Sequence, residues 1–209
     1  KLLYELGSEF VDHIVTTESF EKILMLQKKD EALIDILGRL TLGAKNFIVL
    51  HQRNIHSPYS ENHAHRPGEF AFYPSDLPDP HQNLVNTYDN AMHFYDFFIK
   101  NLFEKTKNIF HKNTYIVFTS DHGELLGEHQ AFGHYHLSLA CARVPFWIWA
   151  HKADTSFFED LKQKKVISHY ETGELLLRLM GVSVRHASPV VRSFVIHDTN
   201  IQENYGFIP

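Results

Sequence analysis

Tyr115-Ile116-Val117-Phe118-Thr119-Ser120-Asp121-His122-Gly123-Glu124-Leu125-Leu126-Gly127-Glu128-His129 is the stretch on which the fold turns. Its first part, starting at Thr114, is a β-branched and aromatic run bounded by polar residues, the pattern of a strand buried on both faces. The run ends in Ser120-Asp121-His122-Gly123-Glu124, so a carboxylate and an imidazole follow directly on the strand's carboxyl end. In open α/β sheets ligands bind beyond that end, where loops can present several groups to one point. A hard carboxylate oxygen beside an imidazole nitrogen suits Zn2+, and Gly123 is expected to let the backbone turn so that both side chains face one ion. Asp121-His122-Gly123 also reads as a turn whose aspartate caps a following helix. The surroundings have to separate the two.

Upstream, residues 46–51 (NFIVLH) form a second short β-branched run and read as another buried strand. Before it, residues 19–42 carry apolar side chains at the spacing of one or two amphipathic helices, broken near Lys28-Lys29-Asp30. Residues 54–82 change to Ser, Pro, Asn and His, with prolines at 58, 67, 74, 78 and 80, and read as a long loop of the kind that is functional or mobile. Leu84, Val85, Tyr88, Met92, Tyr95 and Phe98 recur at helical spacing and predict a long helix. Downstream, Val144-Pro145-Phe146-Trp147-Ile148-Trp149 reads as a third strand. Residues 175–180 read as a helix stopped by Gly181, and residues 193–197 as a last strand. Strands alternating with helices predict an α/β fold, a mainly parallel, doubly wound sheet flanked by helices. At 209 residues and 44% hydrophobic, the chain fits one such domain better than two, and its 17 Phe and 9 Tyr exclude a disordered chain.

A net charge of −5 and a pI near 6.3 argue against nucleic acid as a partner. The single cysteine, Cys141, excludes an intramolecular disulfide and a cysteine-based zinc cluster. No stretch approaches the roughly 20 apolar residues that span a bilayer, so the chain reads as soluble, and its opening Lys1-Leu2-Leu3-Tyr4 reads as domain sequence entered partway. The 16 histidines invite a metal hypothesis, and position must sort them. His63, His65, His81, His111, His151 and His186 sit in polar, turn-like sequence and read as solvated. His51 reads as oriented within a strand end, and Glu124 and Glu128 as capping or pairing within the turn. His129 reads as solvent-facing, and the Ser168-His169 pair as a helix cap.

The string from Tyr115 to His129 resembles the strand and metal loop, S-D-H-G-E-x-x-G-E, of sulfatases and phosphoethanolamine transferases of the alkaline phosphatase and sulfatase superfamily. Three further segments match in order. Val49-Leu-His-Gln-Arg-Asn-Ile-His-Ser-Pro58 resembles V-L-H-x-x-x-x-H-x-P; Val85-Asn-Thr-Tyr-Asp-Asn90 resembles the N-T-Y-D-N helix start of the transferases; Val144-Pro145 resembles the strand after the metal loop. The match covers roughly residues 30 to 180. N-T-Y-D-N favours the phosphoethanolamine transferase branch, whereas His56-Ser-Pro-Tyr59 and Arg143-Val-Pro145 also suit a sulfatase.

The resemblance implies an alkaline phosphatase-like fold whose N-terminal part lies outside these residues, so that residues 1–209 are part of one catalytic domain. It implies that Asp121 and His122 bind the main zinc, and that His56 and His134 bind a second metal or the phosphate and leaving group. The order Gly133-His134-Tyr135-His136 leaves His136 as the alternative to His134. One or two Zn2+ ions, or another divalent cation, are implied. So is a metal-bound Thr or Ser that attacks a phosphoethanolamine phospholipid and passes the group to lipid A or a glycan. That nucleophile and the first carboxylate ligand are expected outside the chain, which is therefore expected to be inactive alone. The full-length protein would sit at the periplasmic face of the inner membrane, held by a segment absent here. The competing expectations are a sulfatase or phosphodiesterase of the same superfamily, and a non-catalytic metal-binding domain.

Overall fold

The computed structural model describes residues 27–111, 113–136 and 138–183, and the backbone of 194–198 and 204–208. The chain divides into two compact units, Lys1–Thr106 and Lys107–Pro209. The helix predicted from residue 19 lies partly outside the described residues, as do His186 and the first residue of the predicted last strand.

The first unit is built on α1 (Glu31–Leu37) and the body of α2 (Pro80–Ile109). α2 turns Asn86, Asn90, Ala91, Phe94, Phe98 and Leu102 inward, the 3–4 residue spacing of a single helical stripe. Phe94 and Phe98 are its largest fully buried side chains. Phe94 meets Phe70 edge-on at 5.2 Å and His65 at 5.6 Å. His63 and His65, expected at the surface, thus belong to this aromatic cluster. Their polar sequence neighbours concealed this, because the apolar partners arrive from α2 and not from the loop.

The loop between residues 54 and 82 has little regular structure, a short 3-10 turn at Tyr59–His63 aside, yet it is fastened at several points. The asparagines of N-T-Y-D-N do much of this. Asn90 accepts from the Tyr73 N–H at 2.9 Å and donates to the Tyr73 carbonyl at 2.9 Å, replacing the strand neighbour that this backbone lacks. One helical turn earlier, Asn86 donates to the Pro74 carbonyl at 2.7 Å. Tyr88 packs edge-on against the buried Tyr59 at 5.2 Å.

Residues 46–51, predicted as a buried strand, pair with no described strand. Phe47 and Val49 are each more than half exposed, and Asn46 closes a local turn on Gly43 instead. β-branched composition favours a pleated surface but supplies no partner, and a strand without one forms no ladder. Asp30 accepts from the Arg53 and Asn54 N–H groups at 2.6 and 2.7 Å, which ties the following segment to the start of α1.

Buried charge makes this unit sensitive to acid. Glu31 is gripped by Arg66 at 2.6 and 2.8 Å and by His65 at 2.5 Å. Burial alone would raise its pKa, but these partners lower it below the usual 4.5. Burial, helped by the charge of His65, lowers the His63 pKa below 6.5. In both cases the unfolded chain takes up protons first, so the stabilisation is complete above the unfolded pKa and is lost as pH falls through the native value. Asp30 acts in the opposite sense, since burial raises its pKa despite the two N–H donors and the nearby Arg53 and His51. Denaturant midpoints are expected to fall from pH 6.5 downward as His63 charges, and again below pH 4.5 as Glu31 protonates. A His63→Phe variant should lose the upper step and keep the lower; an unchanged profile would contradict this account.

The second unit carries β1 (Thr114–Thr119), β2 (Leu125–Leu126), β3 (Phe132–Gly133), α3 (Leu139–Ala142), β4 (Phe146–His151), α4 (Glu159–Lys162), α5 (His169–Leu179), β5 (Phe194–Asp198) and β6 (Asn204–Ile208). They form three two-stranded sheets, β1–β4, β2–β3 and β5–β6, each antiparallel. The predicted parallel, doubly wound sheet does not occur among the described residues. The reason is visible in the connection from β1 to β4. A parallel crossover needs a dozen or more residues, usually a helix, running back along the strand. Among the described residues between the two strands the four-residue α3 is the only helix longer than a single 3-10 turn, and the chain re-enters β4 from the end at which it left β1. α5 begins in a capping box, Ser168 with Glu171, and Gly181 follows it at φ +83° with the Val182 N–H on the Leu177 carbonyl, as the predicted glycine stop requires. No described helix is long and apolar enough to cross a membrane.

Candidate metal centre

β1 delivers the chain to Ser120 and then leaves the ladder, whose last pair is Thr119 with Phe146. The next six residues enter a small hairpin in which Leu125 faces Gly133 and Leu126 faces Phe132. Leu125 is buried and fixes the register. One step outward along that register, Glu124 stands opposite His134. Gly133 takes φ +82°, so the chain leaves the pleat there and turns into His134. The turn is closed by the Gly127 N–H on the Ala131 carbonyl at 3.0 Å and by Glu128, which accepts from the Leu126 N–H at 2.7 Å.

His122, Glu124 and His134 each offer one donor atom, and these atoms lie within 4.8 Å of one another. The two imidazoles stack at 3.9 Å with 24° between their planes. His122 Nδ1–H donates to the Gly123 carbonyl at 2.9 Å, which leaves Nε2 as the lone-pair nitrogen. His134 Nδ1 is 3.4 Å from Glu124 Oε2, so the carboxylate orients the second ring in the same sense. Two imidazole nitrogens and a carboxylate oxygen are a donor set for Zn2+, and ligands near 2.0–2.2 Å from one ion require only a small inward closure from this spacing. The residues present fit the ion.

Asp121 lies at the rim. Its side chain is 83% exposed, with Oδ2 3.8 Å from His122 Nε2. Partial burial opposes its ionisation. The charge of His122, the N–H groups of both residues and the Ser120 hydroxyl outweigh that and lower its pKa. It is therefore an ionised carboxylate beside the cluster. His136 donates from Nε2 to the Phe132 carbonyl at 3.2 Å, while His134 stands in the cluster, which favours His134 of the two. His129, at φ 54° in the turn, is exposed. His56 belongs to the first unit, where its Nδ1 meets the Ser57 carbonyl at 2.5 Å and its own carbonyl accepts from Asn62.

Glu124 is the member that sequence reasoning assigned to the turn alone. No local signal marks it, because its approach to His134 depends on the pairing of Leu125 with Gly133. Gly123 also has a different task from the one predicted. Its φ is not in the left-handed region; instead α3 crosses directly over it, and its N–H donates to the Cys141 carbonyl at 2.8 Å. The buried Cys141 also reaches the Gly133 carbonyl through Sγ at 3.8 Å, so one residue touches both arms of the hairpin.

The hydroxyls of Thr119 and Ser120 are engaged locally, that of Ser120 also within 3.3 Å of the Asp121 carboxylate. Ser120 Oγ donates to the His122 carbonyl at 2.9 Å and Thr119 Oγ1 to the Ser120 carbonyl at 3.3 Å.

Among known proteins, the family model described as Sulfatase matches residues 10–182 of the chain. No curated protein and no solved structure matches it.

Proposed function

Because the chain belongs to the sulfatase family, within the alkaline phosphatase and sulfatase superfamily, we propose that it is the metal-binding part of a phosphoethanolamine transferase. Membership carries an alkaline phosphatase-like α/β fold and the metal-dependent chemistry of the superfamily. The observation that carries the site is the convergence of His122, Glu124 and His134 beside Asp121 at the end of β1. The transferase branch rests on Val85-Asn-Thr-Tyr-Asp-Asn90, whose asparagines set the path of the loop at Tyr73 and Pro74. We assign both units to one catalytic domain, since the matched residues run across the division between them.

His122, Glu124 and His134, with Asp121 at the rim, would hold one Zn2+, and His56 would serve a second ion or the phosphate. A bound divalent cation neutralises phosphoryl oxygens and lowers the pKa of an attacking hydroxyl. The protein's own part is to fix the donors and keep Asp121 ionised. We place the attacking Thr or Ser outside these residues; the Thr119 and Ser120 hydroxyls, which directly precede the Asp121-His122 pair, are engaged with their immediate neighbours. The phosphoethanolamine group would pass to that hydroxyl with release of the lipid alcohol, then to a hydroxyl of lipid A or another glycan. Attachment to the periplasmic face of the inner membrane, through a segment outside this chain, follows from the same reading.

A hydrolase of the superfamily is the second reading, favoured by Arg143-Val144-Pro145 and His56-Ser57-Pro58-Tyr59. A product assay on the full-length protein separates them. Transfer of ethanolamine phosphate to an acceptor, with no turnover by the 209-residue chain alone, is the expected result. Release of sulfate or phosphate to water without acceptor would establish the hydrolase. Zinc binding with neither activity would establish a non-catalytic metal-binding domain.

A further inference from the structure

We propose that His169 is a positioning residue for the metal centre, holding the strand end that carries Asp121 and His122; the inference rests on the metal reading above. His169 is the first residue of α5, and its Nε2 lies 2.8 Å from the Ser120 carbonyl. A carbonyl only accepts, so Nε2 carries the proton and donates it. The Ser120 carbonyl lies just beyond the ladder between β1 and β4, which ends at Thr119 and Phe146, and His169 at 2.8 Å is a closer donor to it than the Thr119 hydroxyl at 3.3 Å.

The contact is not part of the helix cap. Ser168 accepts from the Glu171 N–H and Glu171 accepts from the Ser168 N–H, which completes the capping box without His169. Lys164 is paired with Glu171 and braces the same turn. The imidazole is thus mounted on a fixed helix end and spent on the peptide immediately before Asp121. From there Ser120 Oγ reaches the His122 carbonyl and Gly123 N–H the Cys141 carbonyl, so the Asp121-His122 segment is held on both sides. His169 does not act as a base toward Thr119. That hydroxyl is 3.5 Å from the same Nε2, which already bears a proton given to Ser120.

The test compares His169→Ala and His169→Gln in the 209-residue chain, with His122→Ala as the control for the metal site. Zn2+ affinity is measured by competition with a chromophoric chelator, and amide exchange at His122 and Gly123 is measured without metal. Loss of an orienting partner typically lowers metal affinity about 10–100-fold, and the low end is expected for His169→Ala. His169→Gln, which keeps a donor at similar reach, should restore both affinity and slow exchange. Wild-type affinity and exchange in His169→Ala, or equal losses in both variants, would overturn the proposal. If His122→Ala binds Zn2+ as the wild type does, the metal reading fails, and the exchange comparison alone then decides whether His169 positions this segment.

Discussion

Replacing Gly123 with alanine is expected to unfold the metal loop. A Cβ at this position would stand 2.0 Å from the Ala140 carbonyl oxygen, 2.9 Å from that of Arg143 and 3.1 Å from the Ala140 carbonyl carbon. All three are backbone atoms of α3 or its end, so no side-chain rotation relieves the contact. α3 must move away, which breaks the 2.8 Å bond from Gly123 N–H to Cys141 and releases the Cys141 thiol from Gly133. Overpacking in a well-filled site costs about 1–3 kcal/mol, occasionally more, and a clash with rigid backbone belongs at or beyond the upper end. Gly173→Ala is the matched control. That glycine lies inside α5 with nothing within 4 Å of the added carbon, so alanine should stabilise by up to about 1 kcal/mol. Denaturant titration of both variants checks the pair, and a Gly123→Ala protein as stable as wild type would show that α3 does not sit on the loop as described.

Phe94→Ala is expected to cost the first unit about 3–5 kcal/mol, the range for removing a buried phenylalanine. Its ring is fully buried and meets Phe70, Phe97, His63 and His65, so the cavity would open at the centre of the cluster. Because the loop carrying His63, His65 and Phe70 packs on that ring, its protection from proteolysis should fall with stability. Met92→Ala, on the exposed side of the same helix, should change stability by less than about 0.5 kcal/mol. Equal effects from the two would contradict the assigned helix face.

What was legible in the chain follows from which forces are local. The existence of β1 could be read because a β-branched run and a polar break are properties of adjacent residues; its burial could not, since all six of its residues are only half-buried in a two-stranded sheet. The stop of α5 at Gly181 could be read because a left-handed residue after a helix is a local backbone demand. Residues 46–51 have the same composition as a strand, yet pairing depends on a neighbour that composition does not specify. The antiparallel direction of β4 escaped prediction because it depends on how little helix the connection holds. His63 and His65 were misplaced for a similar reason, since α2 supplies their burial. Glu124 lay between these cases. Its ten-residue separation from His134 means nothing until Leu125 and Gly133 are set opposite each other.

If His122, Glu124 and His134 hold a metal ion, the Zn2+ affinity of the wild-type chain should exceed that of His122→Ala, Glu124→Ala and His134→Ala but not that of His136→Ala. The first three should lose more than the roughly 10–100-fold that removal of an outer partner costs, while His136→Ala should bind as the wild type does. Undiminished zinc binding by His122→Ala and Glu124→Ala would contradict the account.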